Sequence, residues 1–491
     1  MSLMNQKTKV LAACTGVILT GLSLSAGAES LLDVYQQALA NDPQFKQAQA
    51  DWLAAQENLP IARAALLPNL GLQGLGSFNY QDFTTNTAFA TNGGYPQTQL
   101  QLNLTQPIFN WGAWKSLQRA DASVKGATAN YYYAQQDLIT RTVKAYLNVL
   151  QANDVLYATR GKKRAFAEEY DTAKQKFDVG LAPITDVYDS LAKYDQAKAQ
   201  EIQNINQLSD ALESLHAITG HYYTYLNGLT EQGIPLINPA PNNINAWSEI
   251  AARQNYQLQS QRYSAESAKA NIGEKAAGYL PSFAIQGQVN DIRQWDRTLT
   301  FGDTAGQTEN LVADIYSIGI GVNWSLLSGG STVAETRQAR YQYASACAKE
   351  QNIYSQVVSS TRQAFLGVNS YGSQVRADAL SIKSAQSALN SARAGYQVGT
   401  RTLLDVLDDT TQLYQNQQSY ALDQYSYMNN FVALKESAGT LCGADVAKLS
   451  SWITKPLNLD QARQISQDGN TKQPRQPSAS PEAESAPETA K

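Results

Sequence analysis

Apolar residues along this chain follow two different periods, and the switches between them outline its elements. Ile202, Ile205, Leu208, Leu212 and Leu215 recur every three or four positions, the spacing of a helix that buries one stripe. Elsewhere the period falls to two. Leu100, Leu102, Leu104 and Ile108 alternate with Gln99, Gln101, Asn103 and Thr105. Tyr316, Ile318, Ile320, Val322, Trp324 and Leu326 alternate with small or polar residues, and so do Phe283, Ile285 and Val289. A fourth, Gly-rich segment over about 70–83 alternates less cleanly. Each segment of about ten residues has the length of a tilted strand crossing a bilayer within a barrel. Trp295 and Trp324 stand near opposite ends, where aromatic girdles lie. A half-buried strand of a soluble sandwich alternates too, so one segment decides nothing; four in one chain favour the membrane.

Proline marks where helices can run. It is absent from 108 to 182, 184 to 234, 242 to 280 and 282 to 455. An interior proline costs about 3 kcal/mol, so these gaps permit very long helices. At about 1.5 Å per residue, roughly 65 helical residues reach about 100 Å. Taken alone, the helices would also suit a non-pore structural coiled-coil rod.

The pattern is written twice. Val179-Gly180-Leu181-Ala182-Pro183-Ile184-Thr185-Asp186-Val187 returns 219 positions on as Val398-Gly399-Thr400-Arg401-Thr402-Leu403-Leu404-Asp405-Val406. Ala145-Tyr146-Leu147 matches Ala364-Phe365-Leu366 at the same offset, and Leu67-Pro68 matches Leu280-Pro281. A duplicated unit means one fold read twice. The expected division is repeat 1 over 29–246 with a strand pair at about 70–109, and repeat 2 over 247–455 with a strand pair at about 283–327. Each repeat reads helix, strand, polar loop, strand, long helices. Residues 221–246 form a Pro- and Asn-rich connector, and 456–491 are an extension that is disordered from about 466.

The amino terminus carries Lys7 and Lys9, an apolar run from Val10 to Leu24 and Ala26-Gly27-Ala28, the layout of a signal peptide over 1–28. The letters before Cys14 also spell a lipoprotein box, although only four apolar residues would precede it. Beyond the signal only Cys347 and Cys442 remain, which is no disulfide framework. No later run is apolar enough for a membrane helix.

Net charge is −4 with 16% charged residues and a mean hydropathy of −0.38, which excludes the basic face that nucleic acid requires. The two histidines, His216 and His221, fall on different helix faces without acidic or thiol companions. No phosphate loop, nucleophile elbow or zinc motif occurs, so no enzyme, metal or cofactor is expected. Asp405 and Asp408 share a helix face near a helix start, where carboxylates suit the dipole without further purpose. Arg401 could pair locally with Asp405.

Four strands cannot close a barrel, and open sheet edges are not tolerated in lipid. Several chains must therefore combine. With signal, strand pairs and helices in place, the chain resembles the TolC family of trimeric outer-membrane channel proteins. The resemblance is carried by Glu29 to Ala38 and above all by Val398 to Asp408, and it spans about 29–455. It implies a mixed α and β fold: a shared 12-stranded transmembrane barrel, four strands per protomer, continuous with a helical coiled-coil tunnel in the periplasm. The implied function is an exit duct for small molecules or type I protein secretion. The implied partners are two further copies, outer-membrane lipid, a periplasmic adaptor and an inner-membrane ABC or proton-driven pump. Asp405 and Asp408 would form the selective aperture, and Thr185, Asp186, Tyr396 and Arg401 the gate links. Adaptor tips would touch Val179, Gly180, Leu181, Val398, Gly399 and Thr400. An acylated OprM-like relative and a poreless coiled coil are the competing readings.

Overall fold

The computed structural model describes residues 28–81, 93–230, 233–299 and 307–459. Residues 1–27, which hold Cys14 and nearly all of the expected signal peptide over 1–28, and the tail beyond 459 lie outside the described residues. Three short helices come first: α1 (Leu31–Asn41), α2 (Pro43–Gln56) and α3 (Asn58–Ala64). Strands β1 (Asn69–Gln81) and β2 (Gly93–Phe109) follow, then the long α4 (Trp111–Asp178) and its return α5 (Ile184–Thr219). After a short β3 (Tyr225–Leu229) the order repeats. Helices α6 (Ile244–Gln254) and α7 (Tyr256–Ala276) lead to β4 (Ser282–Leu299) and β5 (Gln307–Asn323), then to α8 (Ser331–Gln397) and α9 (Leu403–Ser437). Helix α10 (Gly443–Ser450) and β6 (Ile453–Asn458) end the described chain, and β6 runs across residue 455, where the sequence places the end of the second repeat.

Local chemistry sets these boundaries. Ser30 and Asp33 form a capping box on α1, while Asp42 accepts from the amides of Gln44 and Phe45 ahead of α2, which opens on Pro43. Asn110 accepts the Ala113 amide at 3.0 Å and starts α4 directly after β2. At both helix-to-strand joints stands a Leu-Pro pair, Leu67-Pro68 and Leu280-Pro281. The residue before proline avoids the helical region, so the chain must straighten there.

The four strands form one antiparallel sheet in the order β1-β2-β4-β5, so the two halves meet at β2 and β4. Register puts Leu70, Leu104 and Gly287 in one row and Leu72, Leu102, Val289 and Tyr316 in the next. Those rows, with Ile318, Ile320 and Val322, make one apolar face, and Ile318 is 81% exposed on it. The opposite face carries Gln101, Asn103, Gln288 and Ser317. Pro107 sits at the register shift in β2, and Pro96 lies just beyond the stretch that β4 pairs. The strands are 13 to 18 residues long, against the ten or so that alternation predicts. Asp291 and Arg293 in β4 and Asp314 in β5 put charge into the apolar rows, so the period-two signal stops while the ladder continues as far as Leu299↔Gln307. Among the described residues no helix is long and apolar enough to cross a membrane.

The two long hairpins, α4–α5 and α8–α9, run side by side and bury their widest core midway. Tyr146, Leu147, Leu150, Leu208, Leu215, Tyr425, Tyr427 and Met428 are almost wholly buried there. Ile202 is the exception to the predicted stripe, being mostly exposed. Two successive steps of three carry it about 120° behind Leu208, off the buried face. Around this level a thin belt covers one side of the hairpins. The connector strand β3 pairs with β6, and Glu29 bridges to Leu226 beside them. The Tyr146 hydroxyl donates to the Asn227 carbonyl at 2.6 Å, and the Gln136 amide to the Leu441 carbonyl at 2.9 Å. Gly439 (φ 73°) turns α9 into the belt, and a Cβ there would lie 2.3 Å from the Gln254 carbonyl oxygen. Gly439→Ala is therefore expected to destabilise the protein by about 2 kcal/mol or more. An unchanged midpoint of thermal unfolding by circular dichroism would contradict this.

Candidate gate at the paired helix turns

Both hairpins close with the same turn. At the end of α4, the Gly180 amide donates to the Phe177 carbonyl (2.9 Å) and the Leu181 amide to the Lys176 carbonyl (2.7 Å). At the end of α8, Gly399 donates to Tyr396 (3.3 Å) and Thr400 to Gly395 (2.8 Å). These are paired Schellman motifs, and each needs a left-handed residue, supplied by Gly180 (φ 76°) and Gly399 (φ 78°). The turns leave Val179, Leu181 and Val398 protruding, 69%, 79% and 75% exposed. Gly180, Gly399 and Thr400 complete these two tips.

The duplication diverges at the next helix start, with chemical consequences. Thr402 caps α9: its hydroxyl accepts from the Asp405 amide at 3.2 Å. Asp405 Oδ2 in return accepts from the Thr402 amide and hydroxyl, both at 2.9 Å. These hydrogen bonds, helped by the Arg401 charge, hold the Asp405 carboxyl below the usual carboxylate range. The matching position before α5 is Pro183, which has neither an amide hydrogen nor a capping side chain. Asp186, the counterpart of Asp405, is thereby left free. Its Oδ2 lies 3.5 Å from the Tyr396 hydroxyl across the gap between the hairpins, longer than the usual O–H···O distance of about 2.7–2.8 Å. Lys176 sits 4.0 Å above the Tyr396 ring. Burial, then Asp189, pushes the Asp186 carboxyl up; burial, then Asp186, pushes the Tyr396 phenol up.

The other expected positions are placed as follows. Asp408 pairs with Lys193 of α5 at 3.0 Å, a second link between the hairpins. Arg401 stays within its own turn, 3.8 Å from Asp405, and packs into the notch left by Gly395. Thr185 is exposed beside Asp186. Sequence reasoning did not single out Lys193, nor Arg393, which reaches Glu169 of α4 at 3.1 Å. The available signal was opposite charge on different hairpins, each within a few helical turns of its own glycine. Below these links Leu403 and Leu407 of α9 pack on Phe166, Ala173 and Val187 of the other hairpin. The arrangement is a dry seam with a small polar clasp at its end.

Comparison with known proteins settles the kind of machine. A family model described as "Outer membrane efflux protein" matches residues 34–221 and again 247–440. The chain belongs to the outer membrane efflux protein family. Outer membrane protein TolC of Escherichia coli (strain K12) is 33% identical over 456 residues, covering 92% of this chain and 90% of that protein. The alkaline protease secretion protein AprF of Pseudomonas aeruginosa is 27% identical over 441 residues, covering 88% and 89%. Among solved structures, the Campylobacter jejuni CmeC outer membrane channel superposes with a TM-score of 0.70 at 18% identity, over 89% of this chain and 94% of that one. At that identity the likeness speaks for the fold. It shows that this family member shares the mixed sheet-and-hairpin architecture.

The cap itself is testable. Asp405 has a depressed folded pKa, so its stabilisation is present above the ordinary carboxylate pKa and is lost as pH falls through the lowered value. Thr402→Ala is expected to cost about 1 kcal/mol at the start of α9. In hydrogen exchange, opening of residues 403–407, corrected for the intrinsic rate, should increase on acidification below about pH 4 in the parent. The Thr402→Ala protein should already open about fivefold more often at neutral pH. Equal protection in both would refute the cap.

Proposed function

We propose that three copies of this chain close into one channel-tunnel, an outer-membrane exit duct for small molecules and secreted proteins. The observation that carries the reading is the four-stranded sheet with an apolar face and free margins at β1 and β5, joined directly to helical hairpins about 100 Å long. Three such sheets joined edge to edge make twelve strands, and the margins disappear. AprF is named for alkaline protease secretion and CmeC as an outer membrane channel; the likeness supports both protein export and efflux here. In this reading the mature chain begins at Glu29, whose backbone is already tied to Tyr225 and Asn227. Its repeats are 29–246 and 247–455.

The hairpin tips form the periplasmic gate. Tyr396 and Asp186, with Thr185 and Arg401, link hairpins of one protomer or of neighbours, and breaking those links opens the bore. Asp405 and Asp408, repeated threefold, set an acidic aperture. A periplasmic adaptor docks on Val179, Gly180, Leu181, Val398, Gly399 and Thr400, where the side chains of Val179, Leu181 and Val398 protrude without cover. An inner-membrane ABC or proton-driven pump supplies energy, since nothing in a passive bore can.

Two measurements in planar bilayers test this. Tyr396→Phe combined with Arg401→Ser should raise single-channel conductance several-fold, because links that are each weak give way once two of them are removed. Unchanged conductance would remove these residues from the gate. Asp405→Ala with Asp408→Ala should abolish cation preference, read as the reversal potential in a salt gradient. A potential that does not move would place the constriction elsewhere.

A further inference from the structure

Just beneath the sheet, on the flank of the helical wall, lies a cavity of about 770 Å³ between α3, α4 and α7. Arg63, Lys115 and Lys269 line it, one from each helix, together with Trp114 and the two carboxylates Asp121 and Glu266. The balance of charge favours an anion, because Asp121 is engaged by Lys125 at 2.7 Å. Other cations at this level are paired: Arg119 with Glu274 at 2.8 Å and Lys275 with Glu335 at 3.2 Å. Among the described residues Arg63 and Lys269 form no ion pair. Lys115 is held in place rather than loose. Its ammonium donates to Gln118 at 2.9 Å and lies 4.9 Å from the Trp111 ring. Its stem fills the notch of Gly273 on α7, where a Cβ would meet Lys115 Cδ at 2.9 Å.

The side of the wall can be read from helix periodicity. Gln136 of α4 faces the belt, and Gln118 stands 18 residues away, five turns of 3.6. Trp111 lies on that same face, seven turns away. At the N-cap of α7, Asn255 donates to the Ser437 carbonyl at the level of the belt, and Lys269 follows about four turns on. The cavity and the belt therefore share a face, and a belt on the inner face would fill the bore. The cavity opens outward, and Arg63 and Lys115 each stand six residues from the near ends of β1 and β2. Tryptophan beside cations at that depth is the composition of a membrane–water interface.

We propose that this cavity is a binding site for the phosphate headgroup of a glycerophospholipid in the leaflet facing the periplasm. Arg63 and Lys269 hold the phosphodiester as charge-assisted donors, Lys115 joins them, and Trp111 and Trp114 lie against the glycerol backbone. The site would anchor the barrel at a fixed depth. It rests on the reading that the sheet spans the outer membrane.

The test uses the purified full-length protein in detergent, titrated with phosphatidylglycerol or phosphatidylethanolamine and read by native mass spectrometry. One tightly held lipid per chain is expected. Arg63→Gln with Lys115→Gln and Lys269→Gln should weaken its retention on the order of tenfold or more. Lys349→Gln, a charge removed from the opposite face of the wall, should leave it unchanged. Equal retention in the triple variant, equal loss with Lys349→Gln, or displacement by inorganic phosphate as effective as by lipid would each overturn the site. Insertion of the same samples into planar bilayers separates the two readings. A parent protein that never inserts sinks the duct and the site together, whereas a conducting triple variant with undiminished lipid retention sinks the site alone.

Discussion

Backbone amides and carbonyls cannot remain unpaired in hydrocarbon, and the architecture follows from that single demand. Helices satisfy it internally, but among the described residues no helix is long and apolar enough to cross a membrane. Its sheet satisfies the demand at three of its interfaces, β1 with β2, β2 with β4, and β4 with β5, and leaves two outer margins. The apolar face of the sheet suits lipid while its margins do not, and the closure with further sheets proposed above reconciles the two. The duplication makes that closure economical, since each repeat contributes one hairpin and the join between repeats has the same antiparallel geometry as the hairpins themselves.

Below the sheet the same duplication is used differently. Two hairpins of nearly equal length end in identical Schellman turns, yet their return helices begin with different chemistry. Thr402 binds Asp405 into a capping box, whereas Pro183 leaves Asp186 uncapped and able to face Tyr396. One repeat is therefore closed on itself and the other presents a carboxylate outward. A clasp made from a long hydrogen bond, an ion pair between exposed groups and a cation over a ring is weak in each part. Weak parts next to a packed apolar seam suit an element that must exist in two states.

Midway along, stability is concentrated rather than shared. The buried tyrosines and leucines lie where the belt wraps the hairpins, and the belt is itself built from the connector and the segment after Gly439. The helices on either side of this level are richer in Ala, Gln and Ser and bury less. The waist therefore holds the hairpins together over more buried apolar surface than their ends do.

The sequence alone determined the two periods, the proline-free runs, the paired glycine turns and the duplication, because each is a local rule that acts wherever its residues stand. Alternation understates strand length, because Asp291 and Arg293 interrupt the apolar rows of β4 and Asp314 that of β5 while backbone pairing runs on. Ile202 was assigned to the buried stripe because spacing by threes looks helical, although it drifts around the axis. The partners of the gate residues were decided only by tertiary structure. Asp408 meets Lys193, Arg393 meets Glu169, and Arg401 turns back on Asp405, since which charges meet depends on how two hairpins are rotated against each other. The cation-lined cavity was equally illegible: Arg63, Lys115 and Lys269 are far apart in the chain and converge only when three helices pack side by side.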